Sequence, residues 1–224
     1  TFQSLNLKLT DRSKLTSEIT YLEYLAHQAG GLSDRMFEID PYQSNRERNW
    51  FQVKWLLYNL KYLYEISPDS NFSFSFFGLD ATRNALGFRT NRVDQIDFGD
   101  ERDLIKGRFR NFGFETRYIN NYTVLNKKSY LLLGAKYYNS FSESTQGPGS
   151  ASKDANFNFD YLNFPNYVNQ SEYSYPNFNL ALFGENIFYL NENFSITPGF
   201  RYENINTNLD GYYRRINLDA AGNT

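Results

Sequence analysis

Apolar residues in this chain recur at every second position over stretches long enough to cross a bilayer. Phe72-Ser73-Phe74-Ser75-Phe76 is the plainest case. Successive side chains of a strand point to opposite faces, so this period gives one apolar and one polar face. Phe194, Ile196, Phe200 and Tyr202 share a face, opposed by Ser195, Thr197, Arg201 and Glu203. Arg110, Phe112, Phe114, Thr116 and Tyr118 alternate with Asn111, Gly113, Glu115 and Arg117. Leu131, Leu133, Ala135 and Tyr137 alternate with Leu132, Gly134 and Lys136. Phe178, Leu180 and Leu182 alternate with Asn179, Ala181 and Phe183, with Glu185 on the second face.

The pattern predicts seven strands, at about 2–9, 49–64, 72–82, 107–119, 129–139, 177–190 and 194–206. Most meet the roughly 9–11 residues that a tilted transmembrane strand needs, where soluble strands average about five or six. In the second of them the phase blurs near Leu56-Leu57-Tyr58, which predicts a bulge. The connections alternate: 10–48 long, 65–71 short, 83–106 long, 120–128 short, 140–176 long, 191–193 short. An up-and-down membrane barrel produces this rhythm, with long loops outside and short turns on the periplasmic side. The fold class expected is an all-β, antiparallel up-and-down transmembrane barrel segment. Within the first long connection, residues 16–29 read as a short helix. Thr16 or Ser17 caps it, Ile19, Leu22, Leu25 and Ala26 form its apolar stripe, and Gly30-Gly31 ends it.

Composition narrows the function. Of 224 residues, 19% are aromatic, with Phe and Tyr dominant. They cluster near predicted strand ends (Tyr62 and Tyr64, Tyr118 and Tyr122, Phe188 and Tyr189), as interfacial girdles do. Mean hydropathy is −0.63, as expected when each strand shows only one face to lipid. The net charge of −2 argues against an electrostatic nucleic-acid binder. With no cysteine and a single histidine, His27, neither thiolate nor multi-histidine metal sites can form. His27 reads as a surface or packing residue. No nucleophile–base pair or phosphate-binding glycine loop marks an enzyme, and no resident cofactor is expected. Thr1-Phe2-Gln3-Ser4 and Ala220-Ala221-Gly222-Asn223-Thr224 both read as internal cuts.

Several motifs resemble those of one family. Ile19-Thr20-Tyr21-Leu22-Glu23-Tyr24-Leu25 with Gly30-Gly31-Leu32, Arg48-Asn49-Trp50-Phe51, and Arg83-Asn84-Ala85-Leu86-Gly87-Phe88 resemble the ferric-dicitrate class of TonB-dependent receptors. Leu182-Phe183-Gly184-Glu185-Asn186 with Ile196-Thr197-Pro198-Gly199-Phe200-Arg201-Tyr202-Glu203 is similar to the mid-barrel hairpin of such receptors in general. The resemblance implies that residues 1–224 are part of a barrel of about 22 strands with a plugged lumen. The plug and the carboxy-terminal barrel strands would lie outside the chain. It further implies an outer-membrane location, contact with membrane lipid and lipopolysaccharide, and energy delivered by TonB through the plug. The cargo would be a ferric chelate, with iron as substrate. A glycan, vitamin or peptide importer is the alternative of the same build, and a soluble extracellular adhesin the alternative of another.

On that reading Arg46, Arg48, Arg83, Arg89 and Arg92 lie in or beside the first two long loops, at the extracellular mouth. A guanidinium fork matches the carboxylates of an anionic chelate. The same arginines also suit Asp94, Asp97 or Asp100, or lipopolysaccharide phosphates. Glu115, Arg117, Glu185, Arg201 and Glu203, with Lys136, fall on the polar strand faces and are expected to form a lumen network. Tyr161, Tyr167, Tyr173 and Tyr175 in the third long connection suit loop packing or a ligand lid.

Overall fold

Each alternating segment pairs with the next one along the chain, and the product is a single antiparallel sheet. The structure, a computed structural model, describes residues 1–28, 30–90 and 92–214. Its strands are β1 (Phe2–Thr10), β2 (Ser13–His27), β3 (Trp50–Ser67), β4 (Ser70–Gly87), β5 (Arg102–Val124), β6 (Lys127–Gly149) and β7 (Ser171–Tyr189). After them come β8 (Ser195–Ile196), β9 (Gly199–Thr207) and β10 (Asp210–Tyr213), all lying along β7. These three keep one register, with Ile196 opposite Phe188, Gly199 opposite Glu185 and Asp210 opposite Ser174. They are one interrupted strand. Pro198 accounts for the first break, since it has no N–H for the ladder, although its carbonyl still accepts from Asn186 at 2.9 Å.

The helix expected over 16–29 is absent at residues 16–28, and residue 29 lies outside the described residues. Thr16 to His27 belong to β2, which pairs with β1 on one side and β3 on the other. Ile19, Leu22 and Leu25 fit a helical stripe, but Ile19-Thr20-Tyr21 and Tyr24 are β-branched or aromatic and pack well on a pleated surface. Two flanking ladders then decide the matter. The long connection expected at 10–48 therefore contains a whole strand, and β1 meets β2 through the tight turn Asp11-Arg12. β1 consequently runs opposite to the direction the sequence suggested. The one helix among the described residues, α1 (Asp34–Ile39), lies further on and is capped by Ser33. No bulge occurs near Leu57; the register shift in that hairpin lies between Glu65 and Ser67. β5 and β6 extend well past their expected ends, which trims the third long loop to residues 150–170.

With these corrections the rhythm is strict. Short turns join β1–β2, β3–β4 and β5–β6 at one end, and loops 28–49, 88–101 and 150–170 stand at the other. The β5–β6 turn, Leu125-Asn126, has positive φ at both residues, the geometry whose twist suits a two-residue hairpin.

The register sorts side chains by face. Leu60, Phe76, Phe114, Tyr137 and Leu180 form one row across five strands. Phe114 stacks on Tyr137 and on Phe74, with centroids 5.1 and 6.1 Å apart. The opposite face carries the row Lys61, Ser75, Glu115, Lys136, Ala181 and Glu203. On β3 the apolar face runs from Leu56 to Ile66. Ten steps of about 3.4 Å, tilted by about 40°, give a height near 26 Å, which matches an outer-membrane apolar band of about 25 Å. Nearer the long loops the same face becomes polar, at Lys54, Asp80, Arg108 and Glu143.

Candidate functional site

The three long loops are tied to one another by arginines. Arg46 is buried, and its guanidinium donates to the carbonyls of Asn45 (2.7 Å), Arg92 (3.2 Å), Val93 and Gln95 (both 3.3 Å). Its charge also sits 5.3 Å above the Phe88 ring. Arg46 thus joins the first loop to the second. Arg48, also buried, grips the Asp97 carboxylate through Nε (2.8 Å) and Nη2, and gives Nη1 to the carbonyls of Asp100 and Ala151, each at 2.9 Å. It touches all three loops.

The centre of the cluster is a residue that the sequence did not single out. Arg102, at the first position of β5, is fully buried. Its Nε donates to the Ser150 carbonyl (2.8 Å), and Nη1 to the carbonyls of Arg48 and Asp154 (2.9 Å each). Nη2 donates to the hydroxyls of Ser150 (2.9 Å) and Ser152 (3.1 Å). The Trp50 indole N–H adds a bond to the Lys153 carbonyl at 2.8 Å. Residues 150–154 are therefore strapped down along their backbone. The signal in the sequence was Asp100-Glu101-Arg102-Asp103, a run that reads as a solvated charge cluster.

Burial alone pushes the Asp97 carboxyl up. The Arg48 guanidinium, the Gly99 N–H and the Arg46 charge outweigh it and hold Asp97 below the usual carboxylate range. Its ionised form stabilises the cluster above the unfolded value of about 4, and that contribution is lost as pH falls through the lower folded value. We expect acid to loosen the loops before the strands, seen as faster pepsin cleavage within 88–101 below about pH 4. Asp97→Asn should be loosened at neutral pH and show little further change on acidification.

Tyr167 is buried, donates its hydroxyl to the Asp103 carboxylate and accepts from Gln146 Nε2 at 3.2 Å. Burial, and then that bond to Asp103, push its ionisation well up. Arg89 approaches the same carboxylate at 3.8 Å with its side chain more than half exposed. Arg92 is more exposed still and forks onto Asp94 at 2.8 and 3.1 Å. Arg89 and Arg92 border a cleft of about 380 Å³, together with Gln28, Gly31 and Phe88. Arg83 lies on β4, on the polar face, exposed and directly opposite Gly107. Among the described residues it makes no ion pair.

The polar-face residues converge in part. Glu115 pairs with Arg117 at 2.6 Å, and Glu203 pairs with Arg201. Lys136 lies between them in the row and covers the Phe77 ring at 5.7 Å. Phe77 lies over Gly113 and Phe183 over Gly134, where an added Cβ would collide with either ring. Glu185 sits opposite Gly199, exposed and without an ion pair among the described residues.

No family model matches the sequence, and no curated protein matches it. Solved structures do. The ferric citrate transporter FecA, in its unliganded form, is similar over 94% of this chain and 29% of its own length, with a TM-score of 0.72 at 17% identity. BauA, the ferric preacinetobactin receptor from Acinetobacter baumannii, is similar over 94% of this chain and 36% of its own, with a TM-score of 0.51 at 9% identity. The chain spans about a third of the length of these structures, and its up-and-down antiparallel sheet has the fold of the β-barrel segment it matches in them.

Proposed function

We propose that this chain forms wall strands and extracellular loops of an outer-membrane receptor for an anionic ferric chelate, with ferric dicitrate as the leading cargo. The observation that carries the reading is the arginine-bordered cleft between the first two long loops, set on a barrel-segment fold. Uptake would be driven by TonB acting through a plug in the lumen, and the apolar face would meet lipid, with lipopolysaccharide above it.

The arginines divide into two groups on this reading. Arg46 and Arg48 are buried and committed to carbonyls and Asp97, so they position the loops. Arg83, Arg89 and Arg92 are exposed, and their charges are open to a ligand. The Arg92–Asp94 pair is exposed and screened by solvent, so a chelate carboxylate can displace Asp94. A charge-assisted hydrogen bond contributes about 1.5–3 kcal/mol. Arg89→Ala and Arg92→Ala should therefore each weaken binding about ten- to hundredfold.

The test is calorimetry on the full-length protein in detergent, with ferric citrate, a ferric catecholate chelate and a neutral oligosaccharide. Saturable binding of ferric citrate, weakened in both variants, supports the reading. Binding of the oligosaccharide alone would move the function to a non-iron importer of the same fold.

A further inference from the structure

The two exposed arginines of the cleft meet their carboxylates differently. Arg92 forks onto Asp94, with Nε and Nη2 donating at 3.1 and 2.8 Å. Arg89 comes no closer to Asp103 than 3.8 Å, which is too far for a hydrogen bond. A carboxylate and a guanidinium normally close such a gap, because their geometries match. What prevents it lies on the other side of Asp103. Its Oδ1 accepts the hydroxyl of Tyr167, a third-loop residue only 6% exposed. Gln146, on β6, donates Nε2 to that hydroxyl at 3.2 Å. A phenol has one proton, and a donor on its oxygen leaves that proton directed at Asp103. The Asp103 backbone is fixed between Gly87 and Pro148 on the flanking strands. Only its side chain can swing, and Tyr167 holds it.

We propose that Tyr167 keeps Arg89 open to an anion by drawing Asp103 away from it. Tyr167 does not border the cleft, so it is a positioning residue that acts on Arg89 through Asp103. Arg89 stays more than half exposed, with its fork of donors free for a ligand carboxylate. The neighbouring pair supplies the contrast. Among the described residues Asp94 has no side-chain donor other than Arg92, and there the fork has closed. The cleft is therefore asymmetric. An entering anion must displace Asp94 to reach Arg92, and it meets Arg89 with no hydrogen-bonded carboxylate in the way. The third loop thus bears on a cleft that it does not line. The inference rests on the reading of this cleft as an anion site.

Labelling of arginines with 4-hydroxyphenylglyoxal, read by peptide mass spectrometry on the full-length protein in detergent, reports how open Arg89 is. Arg92 in the same sample is the reference. Tyr167→Phe keeps the buried ring and removes only the hydroxyl, so Asp103 is released to close on Arg89. We expect Arg89 to label severalfold more slowly relative to Arg92, and ferric citrate to bind severalfold more weakly by calorimetry. Adding Asp103→Asn to Tyr167→Phe removes the carboxylate that captures Arg89. Both values should then return to the wild-type level or exceed it. A tyrosine that merely packs the third loop gives no such rescue. Unchanged labelling of Arg89 in Tyr167→Phe, or slowed labelling that Asp103→Asn does not reverse, would overturn the proposal. The labelling needs no ligand. A wild-type protein that binds no ferric citrate would therefore strike the cargo, while the labelling still decides the role of Tyr167.

Discussion

Replacing Arg102 with alanine is expected to release the three long loops from one another while the sheet stays intact. The guanidinium is fully buried and all three of its nitrogens donate, to three backbone carbonyls and two serine hydroxyls. Alanine leaves the carbonyls of Arg48, Ser150 and Asp154 without this donor. Each buried acceptor stranded in this way costs about 1–3 kcal/mol. Water entering from the loop surface recovers part of that, so a local loss of about 3–5 kcal/mol is expected. Arg102→Lys should rescue little, because a single ammonium cannot reproduce donors spread over a planar fork. Chymotrypsin reads the effect at Phe157, Phe159 and Tyr161 in the strapped loop. Where cleavage follows the open population, a loss of 3 kcal/mol raises its rate by about a hundredfold. Unchanged cleavage in Arg102→Ala would show that packing alone holds the loop. Heat-modifiable migration on gels, a property of intact barrels, should persist in either case.

The strand faces were legible in the sequence because period-2 alternation is a local property, and Phe72 to Phe76 or Phe194 to Tyr202 display it without any partner. Strand lengths were less so. β5 and β6 run on through Arg102 to Lys106 and Ser140 to Gly149, where the apolar face gives way to polar side chains. Past the apolar band a strand needs only its ladder, and backbone hydrogen bonds leave no signature in side-chain hydropathy. The misreading of residues 16–29 has the related cause that a short apolar stripe satisfies both periods. Only the pairing of Ser13–His27 with Tyr64–Trp50 separates strand from helix there.

The loop arginines show where the sequence was least informative. Arg46, Arg48, Arg89 and Arg92 are alike on paper, all in loops and all near aspartates. Burial separates them, and burial depends on which loops meet. Arg48 reaches Ala151, 103 positions away. Arg102 stands in an acidic run and looks solvated, yet its place at the head of β5 points it beneath loop 150–170. The polar-face row was better read, because Glu115, Lys136 and Glu203 need only strand phase and register to converge.

Leu182→Arg should cost about 2–4 kcal/mol of folding stability in lipid, the penalty for a cation near the bilayer midplane. Leu182 lies on the apolar face of β7, 47% exposed, opposite Ala135 on one side and Tyr202 on the other. Little packing is lost on substitution, so the penalty isolates the solvent that this face meets. Ser75→Arg provides the contrast. Ser75 lies at nearly the same height on the opposite face, between Lys61 and Glu115. If that face lines a polar lumen, the new arginine finds Glu115 and the change in stability stays within about 0.5 kcal/mol. Urea titration of the full-length protein in thin-bilayer vesicles measures both. A large loss for Leu182→Arg with little for Ser75→Arg assigns the Phe, Leu and Tyr face to lipid. Equal, small losses would mean that water bathes both faces, and the row from Leu60 to Leu180 would then need a protein partner to cover it.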